Sequence, residues 1–206
     1  MTYARYTQFS YDPARREEVL EHWRDPETSH PTNEHGFVQG FVFDSVEQPG
    51  TLRVVTLWAE PEQFDAYFAS PGHQAIGGSM GKRSAEITVR DGLTDVLLLT
   101  PPAPAKRDDA GHVRIIRARI RDNADIPALR EFWQKSGRAA LETAPGCHGA
   151  RAYVDEPAGL FVIQVWWAEA EAATAFVESD GHEQARTVPL DQWVDRIDRA
   201  NATPLD

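Results

Sequence analysis

The sequence carries nearly the same pattern twice, about 110 residues apart. In the first half, Trp58-Ala59-Glu60 is followed by a predicted helix and then by Ser70-Pro71-Gly72-His73. In the second half, Trp167-Ala168-Glu169 leads in the same way to Ser179-Asp180-Gly181-His182, and each histidine follows its tryptophan by 15 positions. Two copies are too few for a solenoid, which needs at least three stacked units. We therefore expect two compact domains that pack against each other across a pseudo-two-fold axis.

The composition is typical of a globular protein with a sizeable core. Of 206 residues, 41% are hydrophobic and 10% are aromatic, which is enough for a core in each half. The net charge of −11 argues against nucleic acid or an anionic membrane as a partner, because both require an excess of Lys and Arg. The single cysteine, Cys147, excludes an internal disulfide and a multi-cysteine zinc site. Since the sequence has no apolar leader and no run of 18 apolar residues, we expect a cytoplasmic protein that does not span a membrane.

Both halves show the same order of predicted elements. The first half is predicted to contain strands at 3–10, 36–44 and 51–58, helices at 12–24 and 62–69, and strand segments at 87–90 and 96–100. The second half repeats this order with strands at 112–120, 149–154 and 160–167 and helices at 126–141 and 171–177, while 193–199 is compatible with a helix or a strand. The Pro-rich stretch 101–111 is predicted to link a domain over 1–100 to a domain over 112–206.

The order β-α-β-β-α-β is that of the ferredoxin-like fold, an α+β arrangement with both helices on one face of an antiparallel sheet. The opposite face of an isolated domain would be an exposed apolar patch. We therefore expect the two domains to close their sheets face to face into an intramolecular, pseudo-dimeric α/β barrel. A monomer is sufficient for such a barrel, and further association into a homodimer through exposed strand edges stays open.

Strand alternation divides the side chains of each sheet between its two faces. It places Trp58, Trp167 and Val38 on the side that the helices cover, and it places Phe37 and Cys147 on the opposite face. That opposite face combines polar and aromatic side chains, as the lining of a ligand cavity does. The predicted substrate-binding residues are Gln39, Phe41, Phe43, Arg53, Arg151, Tyr153, Gln164 and Trp166.

His73 and His182 are the predicted catalytic residues, because they recur at the same position of the repeat next to a glycine. An imidazole there could take a proton from an acidic phenol or carbon acid near neutral pH, or donate a hydrogen bond to an oxyanion. The alternative is that each histidine caps or tethers its local turn. The sequence has no phosphate-binding loop and no known metal-ligand spacing, so we expect neither a metal nor another cofactor.

The duplicated pattern, in which a strand ending in Trp-Ala-Glu is followed by a helix and Ser-x-Gly-His, resembles the antibiotic biosynthesis monooxygenase family of dimeric α/β barrels. The resemblance covers roughly residues 3–99 and 112–198, as a tandem fusion in place of the usual homodimer. It implies a small oxygenase that converts anthrone-like phenols to quinones without flavin, metal or haem. The pocket of such an enzyme stabilises the substrate anion, and His73 or His182 would be the base.

The same resemblance disfavours haem cleavage. Haem-degrading relatives carry a Trp on the second helix and a His ten residues later. The two copies depart from that pair, because these positions read Tyr67 with Gly77 and Phe176 with Arg186.

Three functions are compatible with the sequence. The leading hypothesis is a cofactor-independent monooxygenase that acts on an aromatic or polyketide-like small molecule with O2. The alternatives are a non-catalytic or stress-related barrel that binds a hydrophobic metabolite, and an isomerase or cyclase that uses the same pocket without oxygen. Because Phe41 and Leu57 in the first half correspond to Arg151 and Trp166 in the second, we expect two unequal pockets.

Overall fold

The computed structural model describes residues 3–24, 32–74, 86–96, 109–122, 126–155, 159–179 and 194–205. The chain divides into two compact units, the first formed by Met1–Thr94 with Thr203–Asp206 and the second by Asp95–Ala202. Most of the predicted linker, residues 101–108, lies outside the described part of the chain. Within the described ranges, no helix combines the length and the hydrophobicity that crossing a lipid bilayer requires.

The first unit has the predicted β-α-β-β-α-β order. Its elements are β1 (Tyr3–Ser10), a 3-10 turn (Pro13–Arg15) leading into α1 (Arg16–Arg24), β2 (Phe37–Ser45), β3 (Thr51–Trp58), α2 (Pro61–Phe68) and β4 (Glu86–Val96). β1 pairs antiparallel with both β3 and β4, and β3 also pairs antiparallel with β2. The two strand segments predicted near the end of this half are one strand over 86–96, and residues 97–100 lie outside the described part.

The second unit repeats this topology. Its elements are β5 (His112–Ile120), α3 (Ile126–Phe132), a π-turn (Trp133–Gly137), α4 (Arg138–Glu142), β6 (Cys147–Asp155), β7 (Leu160–Trp167), α5 (Ala170–Glu178) and β8 (Val194–Pro204). β5 pairs antiparallel with β7 and β8, and β7 pairs antiparallel with β6. Of the segment 193–199, which the sequence left open between helix and strand, residues 194–199 belong to β8, and residue 193 lies outside the described part of the chain. Each unit is therefore a ferredoxin-like βαββαβ domain, and the tandem α+β prediction is confirmed.

Caps in the sequence explain where the helices of the first unit begin. Asp12 Oδ1 accepts a hydrogen bond from the backbone N–H of Ala14 at 2.9 Å. Pro13 occupies the first turn, where its lack of an N–H costs no hydrogen bond because backbone N–H groups there have no partner within the helix. At the start of α2, the side-chain oxygen of Gln63 accepts a hydrogen bond from the backbone N–H of Glu60 at 3.1 Å. These caps replace partners that the first turn of a helix cannot find within itself.

Both helical segments of a unit pack on one side of its sheet, which we call the helix face, and the other side is the far face. In the first unit, this core contains Val19, Leu20 and Trp23 packed with Val42, Leu52 and Val54. In the second unit, it contains Leu129, Leu141 and Ala173 packed with Ala152, Ile163 and Trp167. Burial of these apolar side chains is the main force that holds each helix to its sheet.

A β-bulge at the start of β2 and of β6 changes which face the first residue of each strand occupies. The register shifts just after Phe37 and just after Cys147, so that two residues of the strand oppose one of its neighbour. The Phe37 ring consequently lies 5.5 Å from the Trp58 ring on the helix face, and Cys147 lies opposite Trp167. Val38, in contrast, is 56% exposed. The alternation-based prediction was wrong for Phe37, Cys147 and Val38 because a bulge of one residue reverses the faces.

Candidate functional site

The far face of the first sheet carries four of the predicted substrate-binding residues, Gln39, Phe41, Phe43 and Arg53. Phe41 and Phe43 are buried, and their rings stack 6.3 Å apart. Arg53 lies opposite Phe43 on β3, and its Nη2 donates a hydrogen bond to Gln48 Oε1 at 3.0 Å. Gln39 is half-buried on the same face. The structure brings these four side chains to one face, and their role in substrate binding stays a prediction.

The far face of the second sheet carries the other four, Arg151, Tyr153, Gln164 and Trp166, all of them buried. Arg151 lies directly opposite Gln164 in the register, and the Tyr153 hydroxyl donates a hydrogen bond to Gln164 Oε1 at 2.9 Å. Among the described residues, no acceptor is within hydrogen-bonding distance of the buried Gln164 Nε2. An unsatisfied buried donor costs about 1–3 kcal/mol of stability. A buried glutamine with an unsatisfied amide nitrogen is therefore less stable than an apolar residue of similar size at this position would be.

His73 lies on the helix side of the first unit. Its ring centroid is 5.0 Å from that of Tyr67 and 4.6 Å from that of Phe68. Burial raises the pKa of Tyr67 to about 12, and the Glu34 carboxylate adds to the shift. The structure thus separates His73 from the four predicted substrate-binding residues of its own unit, which are on the far face. His182, the other predicted catalytic residue, lies outside the described part of the chain.

Trp58 ends β3 on the helix face, as predicted, and aromatic rings surround it. The Tyr67 ring stacks on it at 5.2 Å, and the Phe64 and Phe37 rings meet it edge-on at 5.7 Å and 5.5 Å. The indole N–H of Trp58 donates a hydrogen bond to Thr56 Oγ1 at 3.0 Å. Trp58 is fully buried, its only donor is satisfied and its rings have favourable neighbours, as expected of a core residue.

Trp167 ends β7 at the equivalent position, but its surroundings differ. Phe176 is a ring neighbour at 5.3 Å, while Cys147 and Ala173 occupy the positions of the two edge-on phenylalanines. Val165 occupies the position of the threonine that accepts the indole hydrogen bond in the first unit. In the part of the chain that the structure describes, the buried Nε1 of Trp167 has no hydrogen-bond acceptor. We call these five side chains the Trp167 site.

Cys147 contributes a neutral wall to the Trp167 site. Burial raises the pKa of its thiol to about 11, and a backbone hydrogen bond with Gly149 opposes that shift. The thiol also lies 4.0 Å from the Gly149 carbonyl oxygen, to which it can donate a weak hydrogen bond. Because the thiolate is the reactive form, the protonated thiol is neither a nucleophile nor a metal ligand at neutral pH. Within the described ranges, no group of three or more His, Cys, Asp and Glu side chains could hold a metal ion.

Sequence reasoning placed Trp167 in the core and did not identify the Trp167 site. A signal was present, because the matched positions of the two copies read Thr56 and Val165, and Phe64 and Ala173. The loss of the threonine acceptor can be seen in the sequence. Whether another residue takes its place depends on the three-dimensional packing, which the sequence does not give.

Comparison with solved structures identifies the same fold in other proteins. Similar structures include a proposed monooxygenase from Lactobacillus acidophilus, with a TM-score of 0.72 and 13% identity over 100% of this chain and 94% of that chain. A proposed monooxygenase from Fusobacterium nucleatum has a TM-score of 0.77 and 8% identity over 100% of this chain and 93% of that one. An anthrone oxidase-like protein has a TM-score of 0.68 and 12% identity over 98% of this chain and 91% of that one.

At these identities the structural likeness concerns the fold alone. No curated protein is significantly similar to this chain in sequence. The sequence profile of the antibiotic biosynthesis monooxygenase family matches residues 2–77 and 112–188, once in each copy. The chain therefore belongs to the antibiotic biosynthesis monooxygenase family.

Proposed function

We propose that this protein is a cofactor-independent monooxygenase that oxidises a flat, phenolic aromatic molecule with O2, and that the substrate binds at the Trp167 site. The observation that carries the proposal is the buried indole N–H of Trp167, which has no acceptor among the described residues. Family membership supports the class of reaction. The anthrone oxidase-like neighbour supports a fused-ring phenol as the kind of substrate.

The side chains of the Trp167 site support binding of a flat ring. Around Trp58, two phenylalanine rings and a stacked tyrosine fill the space beside the indole. At the matched positions the second unit has Cys147, Ala173 and Phe176, which are smaller in every case. Less side-chain volume is therefore available to cover the Trp167 indole. A planar aromatic ligand would bury the same kind of apolar surface that those phenylalanines bury in the first unit.

The indole N–H gives this apolar site one oriented polar group. A donor in surroundings of low dielectric stabilises an oxygen anion more strongly than it would in water. The oxygen of a bound phenolate or enolate would accept the hydrogen bond that Thr56 accepts from Trp58 in the first unit. Trp167 thereby favours loss of the substrate proton, because it stabilises the charged form.

The chemistry then requires little more than binding and removal of a proton. The bound carbanion-like enolate transfers one electron to O2, and the resulting carbon radical and superoxide join in a new C–O bond. The peroxide anion takes up the proton that the base removed. The resulting hydroperoxide then loses water as its O–O bond and the remaining C–H bond of the same carbon break, which leaves a quinone carbonyl. One oxygen atom enters the product and the other leaves as water, so no external reductant is needed. His182 as the base that takes the proton is part of this proposal.

The test is O2 uptake by metal-stripped protein with anthrone and a naphthohydroquinone, measured for the native chain and a matched pair of variants. Trp167→Phe keeps an aromatic ring but removes the N–H, and we expect turnover to fall on the order of 10²-fold, as when one oxyanion donor is lost. Trp58→Phe makes the same change in the first unit and should leave turnover unchanged. Val165→Thr supplies an internal acceptor to the indole and should also lower turnover.

Two results would contradict the proposal in different ways. Equal losses in Trp167→Phe and Trp58→Phe would show that the tryptophans act through stability and not through the substrate. Tight binding of these molecules without O2 uptake by the native chain would favour the non-catalytic binding protein. Replacement of His182 by Ala tests the base separately, since it should lower turnover most near neutral pH, where an imidazole is largely unprotonated but little substrate is ionised by itself.

A further inference from the structure

The far faces of the two sheets have different chemistry at the same structural positions. At the central cross-strand pair of the first unit, Phe41 lies opposite Val55, and both are buried. At the equivalent pair of the second unit, Arg151 lies opposite Gln164, and both are buried as well. An apolar pair has thus been replaced by two polar side chains in an otherwise similar strand pairing.

The first unit is an internal control for what the fold requires. It builds this pair from apolar residues alone, so neither a guanidinium nor an amide is needed at the centre of the sheet. Polar groups that are buried without full compensation destabilise a protein. An amide at such a position whose nitrogen has no acceptor among the described residues, as in Gln164, therefore points to a ligand that is not part of the chain.

The hydrogen bonds of Gln164 define what that ligand must offer. The side chain is 0% exposed, and its Oε1 already accepts a hydrogen bond from Tyr153. This bond orients the amide so that Nε2 is the group left to donate, and no described residue accepts from it. Since the amide nitrogen can only donate, the ligand must present a hydrogen-bond acceptor, such as an oxygen.

The neighbours of Gln164 indicate the rest of the ligand. Trp166 lies two residues further along β7 on the same face, and it is paired across the sheet with Gly149 of β6 and Val113 of β5. Gly149 has a φ of 150°, a conformation that other residues rarely adopt, so β6 places no side chain opposite the indole. Ile115 flanks Gln164 on the β5 side. The far face thus combines an aromatic surface with donors on one side of it.

We propose that this far face is a second ligand site, separate from the Trp167 site, and that it binds an aromatic carboxylate. The carboxylate oxygen accepts the hydrogen bond from Gln164 Nε2, and the positive charge of Arg151 on the same face favours an anion over a neutral oxygen. The ring of the ligand lies against Trp166, on the side where Gly149 has no side chain. Tyr153 is a positioning residue, because it acts on the ligand only through Gln164.

The experiment is a titration of the full ¹⁵N-labelled chain with 2-naphthoate, observed through the side-chain amide resonances of Gln164. Their absence in Gln164→Met assigns them. We expect these resonances to shift on addition of 2-naphthoate, and we expect Gln164→Met to weaken binding about 10-fold or more, as loss of a hydrogen bond to a charged group does. 2-Naphthalenemethanol, the neutral analogue, should bind at least about 10-fold more weakly than the carboxylate.

Controls separate this site from the proposed catalytic one. Trp167→Phe should leave 2-naphthoate binding unchanged, and Gln164→Met should leave O2 uptake measurable, so that either proposal can fail alone. Tyr153→Phe frees the Gln164 side chain and should weaken binding even if Gln164→Met does not fold. The proposal is overturned if the Gln164 amide does not respond to 2-naphthoate, which is the result expected of a buried water on Nε2. It is also overturned if the neutral analogue binds equally well.

Discussion

The same tryptophan has different surroundings in the two units. In the first unit, Trp58 is a fully buried core residue. Aromatic rings contact it on several sides, and its indole N–H donates a hydrogen bond to Thr56. In the second unit, Trp167 is equally buried, yet its N–H has no acceptor among the described residues. Because one fold accommodates both arrangements, the unsatisfied donor of the second unit is not a requirement of the fold.

The far faces of the two sheets differ in a similar way. The far face of the first sheet has an apolar central pair, while that of the second has Arg151 opposite Gln164, whose amide nitrogen is also unsatisfied. Two buried donors without acceptors cost together on the order of 2–6 kcal/mol, a large part of the 5–15 kcal/mol by which a domain is usually stable. At these two matched positions the second unit therefore has an unsatisfied buried donor that the first unit does not have. Sites that bind ligands are the usual places for such losses.

The largest test of this contrast is truncation of the two tryptophans. Trp58→Ala removes a ring with three aromatic neighbours and a satisfied N–H, and we expect a loss of about 4–5 kcal/mol in the free energy of unfolding. Trp167→Ala breaks fewer contacts and also removes an unsatisfied donor. We therefore expect the free energy of unfolding to fall by about 3 kcal/mol or less. Denaturant unfolding of the two variants measures both values. Equal losses would mean that the two surroundings are energetically the same.

A smaller effect is expected from exchanging the residues that differ beside each indole. Thr56→Val removes the acceptor of Trp58 and should cost about 1–2 kcal/mol, because it leaves a buried N–H unbonded. Val165→Thr offers Trp167 an acceptor and should cost nothing or stabilise slightly, although a threonine is otherwise unfavourable at a buried valine position. The opposite signs are the informative result, and the same unfolding measurement gives them. Destabilisation of similar size by both changes would contradict the assignment of Trp167 Nε1 as unsatisfied.

Most of the fold could be predicted from local patterns in the sequence. The strand ends at Ser10, Trp58 and Trp167 coincide with the predicted ones, because alternation, aromatic content and flanking turns agree there. The first helix begins at a recognisable cap, Asp12 before Pro13. The duplication strengthened each assignment, since every element had to be compatible with two sequences.

The candidate site was harder to predict because it depends on register and on missing partners. The bulges after Phe37 and Cys147 bring these residues beside the tryptophans, and simple alternation excludes that arrangement. The sequence offers a glycine at this place in the second copy, Gly149, and its φ of 150° in the structure is one that few other residues adopt. An unsatisfied donor, such as Gln164 Nε2, becomes visible only when all neighbours are placed. Sequence patterns indicate which face a side chain occupies, but they do not show whether its hydrogen bonds are made.

The smallest effect is the pH dependence that Cys147 adds to the second unit. At the matched position the first unit has Phe37, which does not titrate. Burial raises the pKa of the Cys147 thiol from an ordinary 9.0 to about 11. Between these two values the unfolded chain has lost the thiol proton while the folded chain retains it, so folding stability falls as pH rises. Between pH 8 and pH 9.5 this loss should be somewhat under about 1 kcal/mol. The Tyr67 hydroxyl, with a pKa raised to about 12, contributes mainly above pH 9.5.

The measurement compares the unfolding free energies of the native chain and of Cys147→Ala at these two pH values. The comparison isolates the thiol, because all other groups titrate in both proteins. If the difference between the two proteins does not change with pH, the thiol is not held in the apolar wall of the Trp167 site, and the contrast with Trp58 loses one of its parts.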